Sequence, residues 1–204
     1  MTIPVAPLLG RASTLLFDET AIRWPSIELV DALNDGLLQM SALMPLLFTE
    51  RTIMALEAGV YQTLPLNKRH LHRVISNATG QTVRHADQNT LDSQEPNWYG
   101  KAQTKLVKYT IPDPINPRSF LCYPPNDGNG QLDVVFTVYP PTASAGSTIE
   151  IDSIYGNALL AFVLHRAFLK DADTADQGKA DMYFESFSRY MAGSVIGNAQ
   201  AKEE

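Results

Sequence analysis

The sequence predicts an α+β protein in which a four-helix bundle, built from N- and C-terminal helices, carries a β-rich insertion between them. Apolar residues recur at three- and four-residue steps near both ends of the 204-residue chain, which is typical of amphipathic helices. Between these ends, short alternating or β-branched runs are separated by Gly- and Pro-rich turns, which is typical of strands. The predicted boundaries are residues 1–47 plus 148–193 for the bundle, 48–147 for the insertion and 194–204 for a C-terminal tail.

Two helices are predicted before residue 48. The first has an apolar stripe that runs through Leu8, Ala12, Leu15 and Leu16. The second starts near Trp24-Pro25-Ser26 and ends just before Pro45, because the residue that precedes a proline disfavours helix. Its buried face consists of Ile27, Val30, Leu33, Leu37, Met40 and Met44. The short connection between the two stripes predicts an antiparallel helix pair.

Seven short strands are predicted in the insertion. They are Thr52–Leu56, Val60–Leu64, Leu71–Asn77, Gln81–Asp87, Lys105–Ile111, Ser119–Tyr123 and Leu132–Tyr139. The third and fourth flank Ala78-Thr79-Gly80, which predicts a hairpin turn. The run from Pro124 to Gly130 has the composition of a loop.

The C-terminal third predicts two more helices. Ile154–Lys170 is apolar on every side, and such a helix lies inside a core or between subunits. Asp171 to Gly178 is a polar turn. The last helix has Tyr183, Phe187, Tyr190 and Met191 on one face. Beyond Met191 the chain is small and polar without periodicity, so the tail is expected to be unstructured in the free protein.

Composition excludes several classes of protein. The net charge of −6 and the pI near 5.2 argue against a general nucleic-acid binder, which needs basic residues to neutralise phosphates. The single cysteine, Cys122, excludes a disulfide framework and is expected to be a small buried apolar residue. The first ten residues lack the pattern of a secretion signal and no apolar run spans a membrane, so cytoplasmic synthesis without a membrane partner is expected.

A search for local catalytic motifs found none. The chain has no Gly-x-Ser-x-Gly, no phosphate-binding glycine loop, no Rossmann fingerprint and no His-Glu-x-x-His. The sequence therefore predicts no enzyme, no catalytic residue, no cofactor and no metal site. A site assembled from distant residues stays open, so the alternative is a small enzyme or regulatory binding module with a composite site on the β-rich insertion.

Two polar clusters invite a metal-site interpretation. His70 and His72 share one strand face. The positive charges of the neighbouring residues Lys68, Arg69 and Arg73 would repel a metal cation. A solvated basic segment is therefore favoured, and a docking patch for an acidic partner is the functional alternative. Four acidic residues resemble part of a calcium loop, namely Asp171, Asp173, Asp176 and Asp181. An EF-hand would need an oxygen ligand and a glutamate where Ala175 and Met182 stand, so acids that open the last helix are favoured.

His165 and Arg166 interrupt the apolar C-terminal helix. A buried arginine needs a carboxylate or several carbonyl groups. Both residues are therefore predicted to form an interhelical or inter-subunit contact that fixes geometry.

Several local runs, in the same order, resemble the head-to-tail adaptor (connector) proteins of tailed bacteriophages of the tail tubular protein A type. They are Leu15–Glu19, Arg23-Trp24, Glu28–Gly36, Ala58–Pro65, Leu71–Val74 with Asn77 and Gly80, Leu91-Asp92, Pro96–Trp98, Phe120–Pro125, Tyr139-Pro140, Tyr155–Leu159, His165–Asp171, Tyr183 and Phe187. The similarity covers about residues 8–191. One departure is Pro25, which stands where the family has a Ser or Thr that caps the second helix, so either Ser26 caps it or Pro25 lies in its first turn.

The resemblance implies a structural protein of the virion neck or tail, made in the host cytoplasm. It implies a homo-oligomeric ring, commonly a dodecamer, that binds the portal protein above and a tail or nozzle protein below. DNA would pass through the lumen during genome ejection without sequence-specific binding. We expect the C-terminal tail to dock on the portal, with Val195, Ile196, Lys202, Glu203 and Glu204 as its candidate contact residues. A minor tail or head-completion component of another stoichiometry is a third possibility.

Overall fold

The computed structural model describes residues 2–170 and 176–200. The chain divides into two compact units: Met1–Leu47 with Pro140–Glu204, here the helical unit, and Phe48–Tyr139, here the β unit. The described helices are α1 (Val5–Leu15), α2 (Ser26–Leu43), α3 (Gln88–Gln94), α4 (Gly156–Leu169) and α5 (Gln177–Gln200). The described strands are β1 (Ile3–Pro4), β2 (Thr49–Ala55), β3 (Ala58–Thr63), β4 (Lys68–Asn77), β5 (Arg84–His85), β6 (Tyr109–Pro112), β7 (Ser119–Asp127), β8 (Gln131–Val138) and β9 (Thr148–Ile149).

The structure is α+β, but the predicted four-helix bundle with an insertion is wrong. Within the described ranges there are five α-helices and nine strands in three sheets, and the protein is rich in β-structure. One helix, α3, lies in the β unit. One sheet, in which β1 pairs antiparallel with β9, lies in the helical unit and joins Ile3 to Ile149.

The central position of α4 explains why the helical unit is not a bundle. Almost every residue from Ala158 to Leu164 is buried, so no side of this stretch faces water. Helices α1, α2 and α5 all pack against α4. Four equivalent bundle helices would each keep a polar outer stripe, and α4 has none along this stretch. Of the two predicted positions for this helix, inside a core or between subunits, the structure shows the core.

Helix α2 begins at the residue after Pro25, so this proline does not lie in the first helical turn. Ser26 is the first helical residue, and Pro25 precedes it in an extended conformation as the N-cap residue. The Pro25 carbonyl accepts hydrogen bonds from the backbone N–H groups of Glu28 and Leu29. Neither sequence alternative for the cap is correct, because no side chain caps this end.

The turn between α1 and α2 is held by one buried carboxylate. Asp18 accepts hydrogen bonds from the backbone N–H groups of Ile22, Arg23 and Trp24, at 3.0, 2.9 and 2.7 Å. The bond from Trp24 is the main reason that the pKa of Asp18 lies below its ordinary value. Trp24 is buried, and its indole N–H donates to the carbonyl of Ala167 on α4 at 3.1 Å. The turn is thereby joined to the central helix.

The β unit contains two sheets, with strand orders β2-β8-β4 and β3-β7-β6-β5. All neighbouring strands are antiparallel except β5 and β6. One cluster of buried residues in this unit lies on β7, β8 and the strands around them and includes Phe120, Leu132, Val134 and Phe136. Cys122 belongs to this cluster, and burial raises the pKa of its thiol to about 11, so the prediction of a buried apolar cysteine is confirmed.

The predicted hairpin around Ala78-Thr79-Gly80 is wrong in its pairing. The turn exists, with Gly80 at a φ of 93°, but β4 pairs with β8, and only an isolated bridge joins Ser76 to Thr82. The side chain of Asn77 explains the change, because it accepts from the N–H of Val107 and donates to its carbonyl at 2.9 and 2.8 Å. A second difference is that β7 continues to Asp127, through residues for which the composition predicts a loop.

Candidate interaction surface

The helical unit has a surface groove between α2 and the end of α4, with a volume of about 310 Å³. It is lined by Trp24, Glu28, Leu29, Asp31, Ala32, Asp35, Arg166, Ala167, Leu169 and Lys170. The acidic residues recur at three- and four-residue steps along α2 and therefore share one helix face. The same spacing is visible in the sequence and would have identified this acidic face.

Two ion pairs cross the groove from α4 to α2. Arg166 binds Asp35 with an N···O distance of 3.0 Å, and Lys170 binds Glu28 at 2.5 Å. Lys170 also donates to the carbonyl of Arg23 at 2.8 Å. The side chains are about half exposed, so each pair contributes little to the stability of the fold, on the order of 0–1 kcal/mol.

The groove carries more carboxylates than cations. Asp31 is exposed beside the two ion pairs, and across the described ranges it forms no ion pair. The surplus is one negative charge in a groove whose walls also contain Trp24 and Leu29. Such a surface suits a basic or amphipathic side chain of a protein partner better than an anion.

The structure places His165 and Arg166 in contacts between helices of the same chain. Nδ1 of His165 lies 2.9 Å from the carbonyl oxygen of Ala180 on α5, and since a carbonyl only accepts, this nitrogen donates. The His165 ring also lies against Phe162 and Phe184. Arg166 is half exposed rather than buried and points to α2. The two residues therefore join α4 to two of its three neighbours, α5 and α2.

The candidate tail residues fall into two groups. Val195 and Ile196 lie on the last turns of α5, which continues to Gln200 instead of ending near Met191. The expectation of an unstructured tail is wrong as far as Gln200, because residues such as Ala192, Ala199 and Gln200 are compatible with helix. Lys202, Glu203 and Glu204 lie outside the described residues.

The β unit has a second groove, of about 230 Å³, between β4 and the sheet that contains β5 and β6. Its basic lining residues are His70, His72, Arg73 and His85. Asp113 also lines it, but this carboxylate accepts from the Ser119 hydroxyl at 2.7 Å and from the N–H groups of Ile115 and Asn116, and these bonds hold its pKa below the ordinary value. The sequence did not associate His85 with the other two histidines, since only the folded sheet brings them to one groove.

Acidic, histidine and cysteine side chains are the residues that could form a metal site. In the part of the chain that the structure describes, no group of three or more such side chains could hold an ion. Asp176 acts at the start of α5 as expected: its carboxylate accepts from the N–H of Lys179 at 3.0 Å and pairs with the Lys179 ammonium at 2.9 Å. Asp171 and Asp173 lie outside the described residues.

One pair in the β unit resembles a proton-transfer pair. The Tyr123 hydroxyl donates to Glu95 at 2.5 Å, and Lys101 lies 3.2 Å from the same carboxylate. These contacts lower the pKa of Glu95, and the bond to Glu95 raises the pKa of Tyr123. A tyrosine held protonated beside an ionised acid is a poor base or nucleophile. Its ring instead packs edge-on against buried Trp98, whose indole N–H donates to Asp92 at 2.7 Å.

Several charged side chains of these two grooves form ion pairs and hydrogen bonds within the fold. The sequence matches the family described as SU10 adaptor protein over residues 3–203, and the chain belongs to this family. The match includes both units and confirms the resemblance to phage head-to-tail adaptor proteins.

Family membership sets the general role of the protein. It is a structural adaptor of a bacteriophage virion and associates with other virion components. The search of curated proteins gave no match. In residues 2–170 and 176–200, no helix has the length and apolar character that a membrane crossing requires.

Proposed function

We propose that copies of this protein form a ring, of twelve subunits, that joins the portal of the phage head to the tail or nozzle protein and extends the DNA channel. The family match over residues 3–203 is the observation that carries this proposal. The ring lies in the neck of the virion, and DNA passes its lumen during genome ejection without sequence-specific binding. The subunits are made in the host cytoplasm and have no membrane partner.

The charge of the chain supports a channel role. The helical unit contains 14 acidic and 7 basic residues, whereas the β unit contains 8 acidic and 9 basic residues. A surface with surplus carboxylates repels the DNA backbone and keeps it mobile. The unequal charge of the two units also favours contacts between unlike surfaces, as in a head-to-tail ring.

Mass measurement with and without the portal tests the ring. We expect the purified chain, mixed with the portal protein of the same phage, to give one complex with twelve copies of the chain per portal ring. Native mass spectrometry or mass photometry resolves that stoichiometry. A chain that stays monomeric in the presence of assembled portal contradicts the proposal. A complex with another number of copies keeps the ring and contradicts the twelve-subunit stoichiometry.

The C-terminal tail provides the portal contact in this proposal. Deletion of Val195–Glu204 is expected to abolish portal binding and to leave the fold intact, because the deletion begins after the buried residue Met191. Portal pull-down and the melting temperature are the two measurements. A matched variant replaces the same segment by a Gly-Ser segment of equal length. It distinguishes the effect of the tail's sequence on portal binding from the effect of its length. Portal binding that survives both changes rules out the tail contact.

A further inference from the structure

Phe17 occupies a backbone position that favours glycine. Helix α1 ends in a Schellman motif: the N–H of Phe17 donates to the carbonyl of Thr14 at 3.1 Å, and the N–H of Asp18 donates to that of Ser13 at 3.0 Å. The residue between the helix and Asp18 must then be left-handed, and Phe17 has a φ of 54°. A side chain with a Cβ is strained in this conformation, so phenylalanine does not stabilise the turn.

Phe17 also gains nothing from burial. Its side chain is 95% exposed, while the next residue, Asp18, is buried and clamped by three backbone N–H groups. Ile22 and Ile27, in the same turn and at the start of α2, are 82% and 69% exposed, so the prediction that Ile27 lies on the buried face of this helix is wrong. We call Phe17, Ile22 and Ile27 the apolar knob. Phe17 is its most exposed member, and an aromatic side chain alone can bury about 150–250 Å² in a contact.

The same unit has a small receptor surface near the other end of α2. A notch of about 70 Å³ is lined by Asn34, Leu37, Leu38, Pro140, Pro141 and Thr142. The polar groups of Asn34 are already used, because its amide donates to the carbonyl of Ala143 at 3.2 Å and accepts from its N–H at 2.7 Å. Leu38 is half exposed at the notch. The notch therefore offers a partner the apolar side chains of Leu37, Leu38 and the two prolines beside the polar side chain of Thr142.

Knob and notch of one copy cannot meet. Asp18 holds the knob beside Trp24, two residues before α2 begins, whereas Leu38 lies twelve residues beyond Ser26, the first residue of α2. At 1.5 Å per residue this separation is about 18 Å along the helix axis. In the proposed ring, a second copy can bring its notch to the knob of the first copy. Such a head-to-tail contact closes into a ring or extends into a filament.

We infer that Phe17 is the anchor of the contact between neighbouring copies of this chain, and that it inserts into the notch formed by Leu37, Leu38 and Pro140–Thr142 of the next copy. This inference rests on the proposed ring and names its subunit contact. The strained turn is then explained: Asp18 holds Phe17 in advance in the conformation that binds, so little freedom is lost when copies associate.

Phe17→Gly separates assembly from folding. Glycine relieves the strain, so the melting temperature of the variant should be equal to or above that of the wild type, while assembly on the portal should require at least about tenfold more protein. Leu66→Gly is the matched control, since Leu66 is 91% exposed but lies in the β unit, and it should assemble normally. Unchanged assembly of Phe17→Gly overturns the inference, and so does a clear fall in its melting temperature.

Crosslinking tests the pairing of the two surfaces. Phe17→Cys combined with Leu38→Cys should give, with a short bis-maleimide on the chain assembled with its portal, a ladder of crosslinked multimers. Each single variant should give none, because a head-to-tail contact pairs unlike positions. Cys122 is buried and its pKa is raised to about 11, so the wild type provides a clean background.

The outcomes distinguish this inference from the proposed ring. A complex of full stoichiometry without a ladder leaves the ring standing and removes the knob-in-notch contact. A dimer from the Phe17→Cys single variant replaces it with a two-fold contact, and a crosslink from residue 17 to the portal replaces it with a portal contact. Failure of the wild type to assemble at all removes both proposals.

Discussion

Asp18 fixes the turn between α1 and α2 through its negative charge. Its carboxylate accepts three backbone N–H groups, and the bond from Trp24 contributes most to its lowered pKa. A carboxyl group whose pKa is lowered by folding stabilises the protein at pH values above the ordinary pKa of that group. This stabilisation is lost as the pH falls through the pKa of the folded state.

We therefore expect Asp18→Asn to melt at a lower temperature than the wild type at pH 7. The difference should shrink below about pH 4, where the carboxyl group of the unfolded wild type is protonated. Thermal unfolding followed by circular dichroism at pH 7 and pH 3 measures it. Glu19→Gln is the control, because Glu19 is an exposed neighbouring acid, and it should leave the melting temperature unchanged. An equal loss at both pH values would show that shape rather than charge holds the turn.

Single residues differ in how far the sequence identifies them. Cys122 is predictable, since a lone cysteine within an apolar run has few uses besides packing. The role of Phe17 is not predictable, because its left-handed backbone conformation depends on where α1 ends. The apolar pattern fixes the end of a helix only to within a few residues. The acidic face of α2 is predictable from the spacing of its residues. Its ion pairs with Arg166 and Lys170 are not, because they depend on how α4 packs against α2.

Asn126 shows how one side chain shapes the connection between β7 and β8. Its amide nitrogen donates to the carbonyls of Thr104 and Lys105, and its oxygen accepts from the N–H groups of Gly128 and Gly130. The residue is fully buried, so every hydrogen-bonding position of the amide is used inside the fold.

Asn126→Ala should lower the free energy of unfolding by about 2–4 kcal/mol, because it leaves backbone groups at a buried site without partners. Urea denaturation followed by fluorescence gives the value. Asn129→Ala, three residues further along the same turn and exposed, is expected to change stability by less than about 0.5 kcal/mol. A loss below about 1 kcal/mol for Asn126→Ala means that water replaces the amide.

The contact between α2 and α4 depends on a glycine. A Cβ added at Gly36 would lie 3.0 Å from Cδ1 of Phe162, whose ring also packs edge-on against Phe187. Gly36→Val is therefore expected to destabilise the protein by about 1–3 kcal/mol through overpacking. Gly10→Ala is the matched control on α1, since no atom lies within 4 Å of its added Cβ, and it should stabilise by about 0.5–1 kcal/mol. Equal effects of the two changes in thermal unfolding would exclude close packing as the role of Gly36.

Elements with a strong period were predictable, and their pairing was not. The four long helices match predicted segments because each has an apolar stripe or a wholly apolar face. The three-sheet arrangement was missed because strand partners are chosen by contacts distant in sequence, such as Asn77 with Val107. Strands of two residues, such as β5, leave almost no pattern to detect.

At the scale of the whole molecule, the charge is unevenly distributed along the chain. The helical unit carries the surplus of acidic residues, and the β unit is close to neutral, with its basic groove at His70, His72, Arg73 and His85. The sequence indicated the general role through a resemblance that covers both units, and the family match confirms it. The residues of a subunit interface are not predictable from the sequence, because an interface joins surfaces that only the folded chain creates.

The same charge distribution predicts that the free protein does not bind DNA. At about 0.15 M salt the purified chain should show an affinity for duplex DNA weaker than about 10⁻⁴ M, because its net charge of −6 opposes the negative charge of the phosphates. Fluorescence anisotropy of a labelled duplex measures this. Glu19→Lys combined with Asp31→Lys, two exposed acids of the helical unit, reduces the net charge and should strengthen binding without unfolding the chain. Micromolar binding by the wild type would contradict the proposed DNA channel, since each phosphate held by the proposed ring would slow the passage of DNA.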